Sequence, residues 1–351
     1  GKDMWAAATL GPDDCIYAPP CGASSVLRVN CLAGSVELLG PELPEGPWKY
    51  AASVMGPDGC IYAPPCTAGR ALRIDCSRGR VEQFGPDFGD TQHKWDCAVL
   101  GPDGCIYAPP SNAGQVLRID CRTSDVRCIG PDYGGVAKYC CALVGPDGCI
   151  YCPPNNAGRV LKIHVSTRAM TRLVEQVGPE LHSPGGGGGS YVSATIAPDG
   201  RIYAPPFSAS QVLRIDCHGP VIELIGEPTK HLWQKWHTSA VAADGCLYAP
   251  PCNAAQVLRI DCGRGDVDLV GPQFTQFPNG AQKWRTTVAG PDGCVYCVPC
   301  NEESVLKITG GADPSVESIG PALNEDKSKF RAALIGPHGV LFALPYCGGQ
   351  L

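Results

Sequence analysis

Residues 94–130 form the stretch that decides the fold, and they read KWDCAVLGPDGCIYAPPSNAGQVLRIDCRTSDVRCIG. Most of the remaining chain consists of altered copies of this stretch. The turn motif Gly-Pro-Asp-Gly, or a close variant, begins eight times, at Gly11, Gly56, Gly101, Gly145, Ala197, Ala242, Gly290 and Gly336. Successive starts are 45, 45, 44, 52, 45, 48 and 46 residues apart. A nearly fixed period of this length is typical of repeat architectures, so it takes precedence over any local pattern.

One copy of the repeat predicts four short strands. The first spans residues 95–100, and the turn at Pro102 and Gly104 leads into a second at residues 105–108. A proline sets the backbone for the first central turn position, and a glycine relieves the exit. The double proline at residues 109–110 ends the second strand, because proline cannot donate to a sheet. The third and fourth strands are expected at residues 116–120 and 126–129.

Four antiparallel strands in each unit of about 45 residues predict an all-β fold, a single β-propeller domain spanning residues 1–351. A helical solenoid is disfavoured because proline and glycine interrupt every segment, and a sandwich gives no reason for a fixed four-strand unit. The repeats cover approximately residues 5–49, 50–94, 95–138, 139–190, 191–235, 236–283, 284–329 and, incompletely, 330–351. Strand counting favours eight blade positions with the last half built, and seven blades are the alternative. On this count, the missing half would be expected either in a longer parent chain or from a partner strand.

Composition excludes some classes of function. The net charge of −6 provides no basic footprint for nucleic acid, and no apolar run approaches the roughly 20 residues of a membrane helix. The chain begins at Gly1 rather than with methionine, so a processed product or a fragment is expected. The run Gly185–Ser190 accounts for the longest spacing and reads either as a natural inter-blade loop or as an engineered Gly-Ser linker.

The block GPDGCIYAPPSNAGQVLRID, residues 101–120, resembles the strand-turn-strand unit of the NHL, virginiamycin B lyase-like and gluconolactonase-like propeller families. Repeats in these families commonly pair a Pro-Asp-Gly turn with an aromatic-containing strand and a following strand that ends in Ile-Asp. The similarity runs through nearly the whole chain. It implies a propeller but chooses no function, because such propellers serve as enzymes, binding modules and scaffolds. The Lys-aromatic start and the double proline are not general features of those families, which places this chain in a side branch.

The chain has 22 cysteines, and eight of them fall at facing positions of the second and third strands. The hairpin geometry pairs Cys15 with Cys31, Cys60 with Cys76, Cys105 with Cys121, and Cys246 with Cys262. Each bridge would close a loop of roughly 15 residues, worth about 3 kcal/mol in the chain-entropy model. The alternative is a set of small, buried, reduced thiols. Bridged pairs would favour an oxidising compartment.

No metal, cofactor or catalytic residue is predicted. Cys294, Cys297 and Cys300 have a ligand-like spacing but lie on an expected strand, where residues three apart point to opposite faces, and the pair Cys149 and Cys152 has the same defect. The histidines do not recur at one repeat position. A virginiamycin-lyase-like site would need a histidine with acidic residues on one face of the channel. By that resemblance His237 is the nearest candidate, although the role of an ordinary surface or packing histidine describes it better.

An aromatic residue six positions before each turn recurs in every copy, and lysine precedes it in six of them. With the asparagines of the loop after the double proline, they predict a ring around one mouth of the channel. The ring comprises Lys49, Lys94, Trp95, Lys138, Lys235, Trp236, Lys283, Trp284, Lys329, Asn112 and Asn253. The functional interpretation is a face that binds a protein or another extended, acidic partner. In the alternative, the aromatics wedge between blades and the lysine stems cover them.

Three functions fit this fold. The first is a non-catalytic interaction platform or scaffold, the second an enzyme of lyase or lactonase type, and the third a repeated-site binder of small ligands or sugars. An enzyme should show one asymmetric cluster of histidine and carboxylates at a channel mouth, whereas a repeated-site binder should show equivalent pockets between blades. Residues 94–130 are expected to hold nothing that sets one blade chemically apart from the others.

Overall fold

The computed structural model describes residues 4–165, 173–181, 189–219, 221–229, 233–274, 282–323 and 328–345. In these ranges the chain forms thirty β-strands and a single 3-10 turn at Pro337–Gly339. None of the described segments is a helix long and apolar enough to cross a membrane. Most of the glycine run and the end of the last repeat, residues 185–188 and 346–351, lie outside the described residues.

Seven four-stranded antiparallel sheets form the blades, and within each the spatial order of strands follows the chain. Blade one contains β1 (Thr9–Leu10), β2 (Cys15–Ala18), β3 (Val26–Asn30) and β4 (Ser35–Leu39). Blade two contains β5 (Val54–Met55), β6 (Cys60–Ala63), β7 (Ala71–Asp75) and β8 (Arg80–Phe84). Blade three contains β9 (Val99–Leu100), β10 (Cys105–Ala108), β11 (Val116–Asp120) and β12 (Asp125–Ile129). Blade four contains β13 (Leu143–Val144), β14 (Ile150–Cys152), β15 (Val160–Ile163) and β16 (Val174–Val177).

The last three blades follow the same plan. Blade five contains β17 (Thr195–Ile196), β18 (Ile202–Ala204), β19 (Val212–Asp216) and β20 (Val221–Ile225). Blade six contains β21 (Ala240–Val241), β22 (Leu247–Ala249), β23 (Val257–Asp261) and β24 (Asp266–Val270). Blade seven contains β25 (Trp284–Ala289), β26 (Val295–Pro299), β27 (Val305–Thr309) and β28 (Ser315–Ile319). The seven complete repeats predicted from the sequence are therefore confirmed, and the protein is a seven-bladed β-propeller.

The predicted eighth blade position is not confirmed. The strands β29 (Phe330–Ile335) and β30 (Leu341–Pro345) form a separate two-stranded sheet, to which the described residues add no third strand. This hairpin touches blade seven, where the Thr286 hydroxyl donates to the Arg331 carbonyl at 2.8 Å. It also touches blade one, because Leu344 packs in one apolar cluster with Ile16 and Ala18.

The core lies between the blades rather than within any one of them. In one cluster Tyr17 and Val26 of blade one pack against Ile61 and Leu72 of blade two, and all four are fully buried. The first strands of successive blades contact each other, as β1 does β5 and β5 does β9, so these strands surround the central channel. Each blade is thus stabilised by its neighbours, as expected of a repeat fold.

The predicted disulfides are wrong, because the hairpin register differs by one residue from the expected one. Cys15 faces Asn30, Cys60 faces Asp75 and Cys105 faces Asp120. The predicted partners Cys31, Cys76 and Cys121 therefore lie one position beyond the end of the third strand. In blade six Leu247 faces Ile260, which offsets Cys246 from Cys262 in the same way. All of these thiols are free in the structure, which matches the alternative of small reduced side chains.

An aspartate–tyrosine pair joins the first turn of each blade to its second strand, and we call it the latch. The Asp58 Oδ2 atom accepts a hydrogen bond from the Tyr62 hydroxyl at 2.8 Å, and its Oδ1 atom accepts one from the Cys60 amide at 3.2 Å. The same hydroxyl lies 3.4 Å from the Cys121 carbonyl of the next blade. The tyrosines that donate to a turn aspartate in this way are Tyr17, Tyr62, Tyr107, Tyr151, Tyr203, Tyr248 and Tyr296.

Two of the latch carboxylates, those of Asp147 and Asp244, are held in the ionised form. Burial alone would raise the pKa of Asp147 and of Asp244. Hydrogen bonds from Tyr151 and Tyr248, together with nearby backbone amides, outweigh burial and hold both pKa values below the usual range. In these two latches the bond is consequently charge-assisted, and such bonds are about twice as strong as those between neutral groups.

Backbone hydrogen bonds link each blade to the next at a point that we call the junction. At the second junction the Lys94 amide donates to the carbonyl of Cys66, the residue after the double proline, at 2.9 Å. In return, the Ser111 amide donates to the Lys94 carbonyl at 2.9 Å. The amides that begin the seven junctions are those of Lys49, Lys94, Lys138, Ser190, Lys235, Lys283 and Lys329. Because these bonds join main-chain atoms, they form whichever side chains occupy the junction.

Candidate functional site

The recurrent lysines are buried rather than displayed. Their exposed fractions lie between 1% for Lys235 and 6% for Lys283. Lys94 Nζ donates to the carbonyls of Gly89 and Thr91, both at 2.9 Å. Lys49, Lys138 and Lys235 likewise donate to loop carbonyls, and burial lowers the pKa of Lys235 to about 8. Lys329 is also buried, with 5% exposure. The lysines thus order the loops that lead into each junction.

The recurrent aromatics are buried as well. Trp95, Trp236 and Trp284 are at most 2% exposed, and each indole donates at 3.0 Å to a carbonyl twenty residues further along the chain. Asn112 donates to the Gln92 carbonyl at 2.8 Å, and Asn253 donates to the Trp233 carbonyl at 3.1 Å. We expected these groups to form a displayed ring, but their contacts match the packing alternative. Binding of a partner on this face stays a prediction.

Three other positions at each junction direct side chains to the entry end of the first strands, which is one mouth of the channel. They are the residue after the double proline, the residue two before the recurrent aromatic, and the residue just after it. The second of these has a left-handed backbone at several junctions, with φ of 59° at Trp48, 53° at His93 and 58° at Gln234. Residues other than glycine, asparagine or aspartate seldom adopt this conformation, and it concentrates at functional sites.

The second junction brings together a thiol, an imidazole and a carboxylate. The Cys66 Sγ atom lies 3.1 Å from Asp96 Oδ1 and 3.6 Å from His93 Nδ1. His93 Nδ1 is in turn 3.1 Å from the same carboxylate oxygen. Cys66 is buried, whereas the His93 side chain is 38% exposed. We call these three residues the thiol–imidazole–carboxylate cluster.

The members of the cluster shift one another's pKa values. Burial would raise the pKa of Asp96, but hydrogen bonds from His93, Ser111 and Cys66 outweigh burial and hold this pKa below the usual range. The hydrogen bond to Asp96 raises the pKa of His93, against the opposing effects of burial and of Arg331. Burial raises the pKa of the Cys66 thiol, with Asp96 contributing. Without a ligand the cluster therefore favours an ionised carboxylate, a readily protonated imidazole and a neutral thiol.

The fifth and sixth junctions contribute a second polar group. Arg285 Nη2 lies 2.9 Å from His237 Nε2, and Arg285 Nη1 donates to Gln282 Oε1 at 2.9 Å. Gln282 in turn donates to Gln234 at 2.8 Å. Burial, with the nearby charges of Arg285 and Arg331, holds the pKa of His237 well below the usual range. His237 is thus a neutral imidazole packed beside an arginine.

Arg331 connects the two groups. Its guanidinium carbon lies 4.6 Å from the centre of the Trp48 ring, and that ring lies 5.4 Å from the His93 ring. The charge of Arg331 acts on the pKa of both His93 and His237. The mouth is consequently asymmetric, with the cluster at one junction and arginines at others.

Sequence reasoning missed most of this site because it followed the positions that repeat. The cluster uses junction positions at which the copies differ. The residue after the aromatic is Ala6, Ala51, Asp96, Cys140, Val192, His237, Arg285 and Arg331 in chain order. Asp96 lies within residues 94–130, so the expectation that this stretch holds nothing distinctive is wrong. Aligning the repeats and selecting the variable polar positions would have found it.

No metal site was predicted, and the cysteine motif was rejected. Among the described residues, the only group of three histidine, cysteine, aspartate or glutamate ligand atoms that lie within 4.8 Å of one another is the thiol–imidazole–carboxylate cluster. Cys294 instead lies 3.5 Å from the Thr309 hydroxyl. The structure thus shows a group of potential ligands that the sequence analysis did not anticipate.

Comparison with known proteins supports the fold and goes no further. No family model matches the chain, and no curated protein matches its sequence. Virginiamycin B lyase from Staphylococcus aureus aligns with a TM-score of 0.62 at 16% identity, over 85% of this chain and 93% of that one. A streptogramin B lyase structure aligns with a TM-score of 0.60 at 15% identity, over 85% of this chain and 91% of that one.

A periplasmic gluconolactonase from Pseudomonas aeruginosa aligns with a TM-score of 0.57 at 15% identity, over 97% of this chain and 98% of that one. At these identities the likeness shows a shared fold alone. It confirms the resemblance to lyase-like and lactonase-like propellers that the repeat motif indicated.

Proposed function

We propose that the protein is an enzyme that acts on a small anionic substrate at the mouth of its channel. The observation that carries the proposal is the asymmetry of that mouth. One junction holds a cysteine, a histidine and an aspartate within hydrogen-bonding distance of one another, whereas the first junction offers Cys21, Trp48 and Ala51 at the same positions. A platform with seven equal junctions does not require such a chemical difference between them, whereas catalysis requires a distinct cluster of reactive groups.

Each part of the mouth has a role in the proposed reaction. Arg331 and the Trp48 ring are placed to hold a carboxylate or another anionic group of the substrate. Asp96 orients His93 and keeps it basic, so the pair can move a proton or activate water. This chemistry suits the opening of a lactone or the elimination of an ester. The names of the structurally similar proteins, a lyase and a gluconolactonase, support the same reaction class.

A direct test is to assay ring opening of aldonolactones and of a streptogramin B depsipeptide by liquid chromatography. Replacing Asp96 by asparagine or His93 by alanine should lower kcat/KM by about 100-fold or more. Replacing Arg331 by glutamine should mainly raise KM. His218→Ala and Asp266→Asn alter exposed residues outside the mouth and serve as matched controls. Turnover that survives Asp96→Asn unchanged would remove the proposal.

The repeated-site small-ligand binder is the second candidate, because two equivalent cavities lie between blades. One cavity of about 270 Å³ is lined by Lys94, Asn112, Gly114 and Asp132. The other, of about 310 Å³, is lined by Lys49, Thr67, Gly69 and Asp87, the same repeat positions one blade earlier. Their volumes lie at the lower end of the usual range for ligand pockets. Calorimetric titration with monosaccharides should then show two or more equal sites per chain. A single site, or none, excludes this function.

The interaction platform predicted first stays a candidate, although its proposed lysine and tryptophan contact residues are buried and only Asn112 and Asn253 are partly exposed. Exposed apolar side chains occur instead on the outermost strands, as at Leu38, Val221 and Leu269. A partner would therefore have to bind the rim of the propeller rather than the mouth. This surface can be tested by native mass spectrometry, which would compare the purified wild-type chain with a double variant carrying Leu38→Glu and Leu269→Glu.

A further inference from the structure

We infer that Cys66, His93 and Asp96 form a site for a Zn²⁺-class metal ion, with Cys66 Sγ, His93 Nδ1 and Asp96 Oδ1 as its three protein ligands. The inference deepens the proposed function, because it names what the reactive cluster holds: with the ion bound, His93 and Asp96 act as ligands, and ion-bound water takes over the role given above to the His93–Asp96 pair. It does not require that function to be correct, since metal binding is measured independently of turnover.

The first argument is the size of the triangle that the three ligand atoms form. Zinc lies about 2.3 Å from sulfur and about 2.0–2.1 Å from nitrogen and oxygen, so tetrahedral angles place sulfur about 3.6 Å from each and nitrogen about 3.3 Å from oxygen. The observed separations are 3.6 Å for sulfur to nitrogen, 3.1 Å for sulfur to oxygen and 3.1 Å for nitrogen to oxygen. Shifts of at most about 0.5 Å would complete one face of a zinc tetrahedron.

The second argument excludes the main alternative, a nucleophilic cysteine activated by a histidine relay. Such a relay needs two different ring nitrogens, one facing the thiol and the other facing the carboxylate. Here His93 presents the same nitrogen, Nδ1, to both Cys66 and Asp96. Atoms that converge on one point suit a shared ion, whereas a relay requires them to lie in a chain.

The third argument is preorganisation by the backbone. Cys66 is fixed on both sides of the junction, because its amide donates to the Lys49 carbonyl and its carbonyl accepts from the Lys94 amide, both at 2.9 Å. His93 has a left-handed backbone with φ of 53°, which this anchoring maintains. A metal site on rigid, hydrogen-bonded elements binds with little loss of conformational freedom.

The ligand set also selects the metal and its role. Thiolate and imidazole favour zinc over magnesium or calcium, which prefer oxygen ligands. Three protein ligands leave a fourth position, as in catalytic zinc sites, and the 38% exposure of the His93 side chain next to Trp48 leaves the cluster open to small molecules. An ion there would supply a bound water of lowered pKa and a Lewis acid close to the Arg331 charge.

The test uses the full chain, stripped with a chelator and titrated with Co²⁺ as a spectroscopic substitute for Zn²⁺. One equivalent should produce thiolate-to-cobalt charge-transfer absorption with intense tetrahedral visible bands, and Zn²⁺ should displace it. Cys66→Ser should abolish the charge-transfer absorption. His93→Ala and Asp96→Asn should each weaken the affinity by at least about 100-fold, since even outer ligand partners contribute 10–100-fold.

Matched controls separate this site from the other 21 cysteines of the chain. Cys300→Ser in the rejected cysteine motif and Cys128→Ser in an outer strand should leave the cobalt spectrum unchanged. If Cys66→Ser fails to fold, His93→Ala and Asp96→Asn decide the matter, because both side chains are partly exposed. A wild-type protein without charge-transfer absorption, or an affinity that neither variant changes, overturns the inference. Cobalt binding without lactone turnover would instead overturn only the proposed function.

Discussion

Replacing Tyr62 by phenylalanine tests whether the latch is a main source of stability. The change removes one hydroxyl that donates to Asp58 at 2.8 Å and lies 3.4 Å from the Cys121 carbonyl of the next blade. Tyr62 is fully buried and the Asp58 side chain is 28% exposed, against 45% for Asp292 in the last full blade, so water replaces the lost contacts less readily here. Hydrogen bonds to charged groups contribute about 1.5–3 kcal/mol. Asp58 keeps its contacts with the Cys60 amide and with Arg73, both at 3.2 Å, so we expect a loss near 2 kcal/mol.

The matched control is Tyr296→Phe in the last full blade. Tyr296 donates to Asp292 at the same distance, 2.8 Å, but in an exposed setting beside the two-stranded hairpin. Water can solvate Asp292 once the hydroxyl is gone, so the loss should stay below about 1 kcal/mol. The two variants remove the same atom from the same repeat position, and only the surroundings differ.

Urea unfolding followed by far-ultraviolet circular dichroism gives the free energy of unfolding for both variants. With an unfolding entropy of about 2.1 cal/mol/K per residue, a loss of 2 kcal/mol corresponds to a fall in Tm of about 3 °C if the propeller unfolds as one unit. Equal losses in the two variants would refute the reasoning, because burial would then have no influence. No loss in Tyr62→Phe would show that the latch does not stabilise the blades.

Three further predictions concern stability. Lys94→Met should lower the free energy of unfolding by about 2 kcal/mol, because the Gly89 and Thr91 carbonyls lose a charged donor. Lys307 is partly exposed, so Lys307→Met should change the free energy of unfolding little. Urea unfolding of the two variants in parallel gives the comparison. Gly85→Ala should destabilise more than Gly79→Ala in calorimetry, since both have positive φ but only at Gly85 would the new Cβ lie 2.8 Å from Val126. Acid should destabilise the fold below about pH 4, because folding lowers the pKa values of Asp147 and Asp244. Their carboxylates stabilise the native state fully above the unfolded pKa of about 3.9. That contribution to stability is lost as the pH falls through the pKa values of the folded state. A circular dichroism titration that shows full stability at pH 3 would contradict the last prediction.

The sequence predicted the blade accurately wherever the prediction depended on local turn chemistry. The second strand of the third repeat was expected at residues 105–108 and the third at 116–120, and both were found with those bounds. The first strand was expected over residues 95–100 but is paired only at Val99–Leu100. Its earlier residues belong to the junction, whose partners lie on the preceding blade and cannot be read from one repeat.

The candidate site could not be predicted in the same way. Cys66, His93 and Asp96 belong to two adjacent repeats, and the register between blades decides whether their side chains meet. The predicted disulfides failed for a related reason, because a one-residue difference in register displaces Cys121 from Cys105. The recurrent lysines were predicted to form a binding ring but are buried, because residues that recur in every blade serve the packing that all blades share. A reactive site instead requires residues that differ between blades.

The structure of the junctions suggests that the side chains of one junction can be transferred to another. Because the hydrogen bonds of each junction join main-chain atoms, a set of side chains can be moved to another junction without removing those bonds. The first junction already carries a cysteine, Cys21, with Trp48 and Ala51 at the positions that His93 and Asp96 occupy in the second. Trp48→His and Ala51→Asp would therefore copy the cluster one blade upstream, and the chain could carry two such sites side by side.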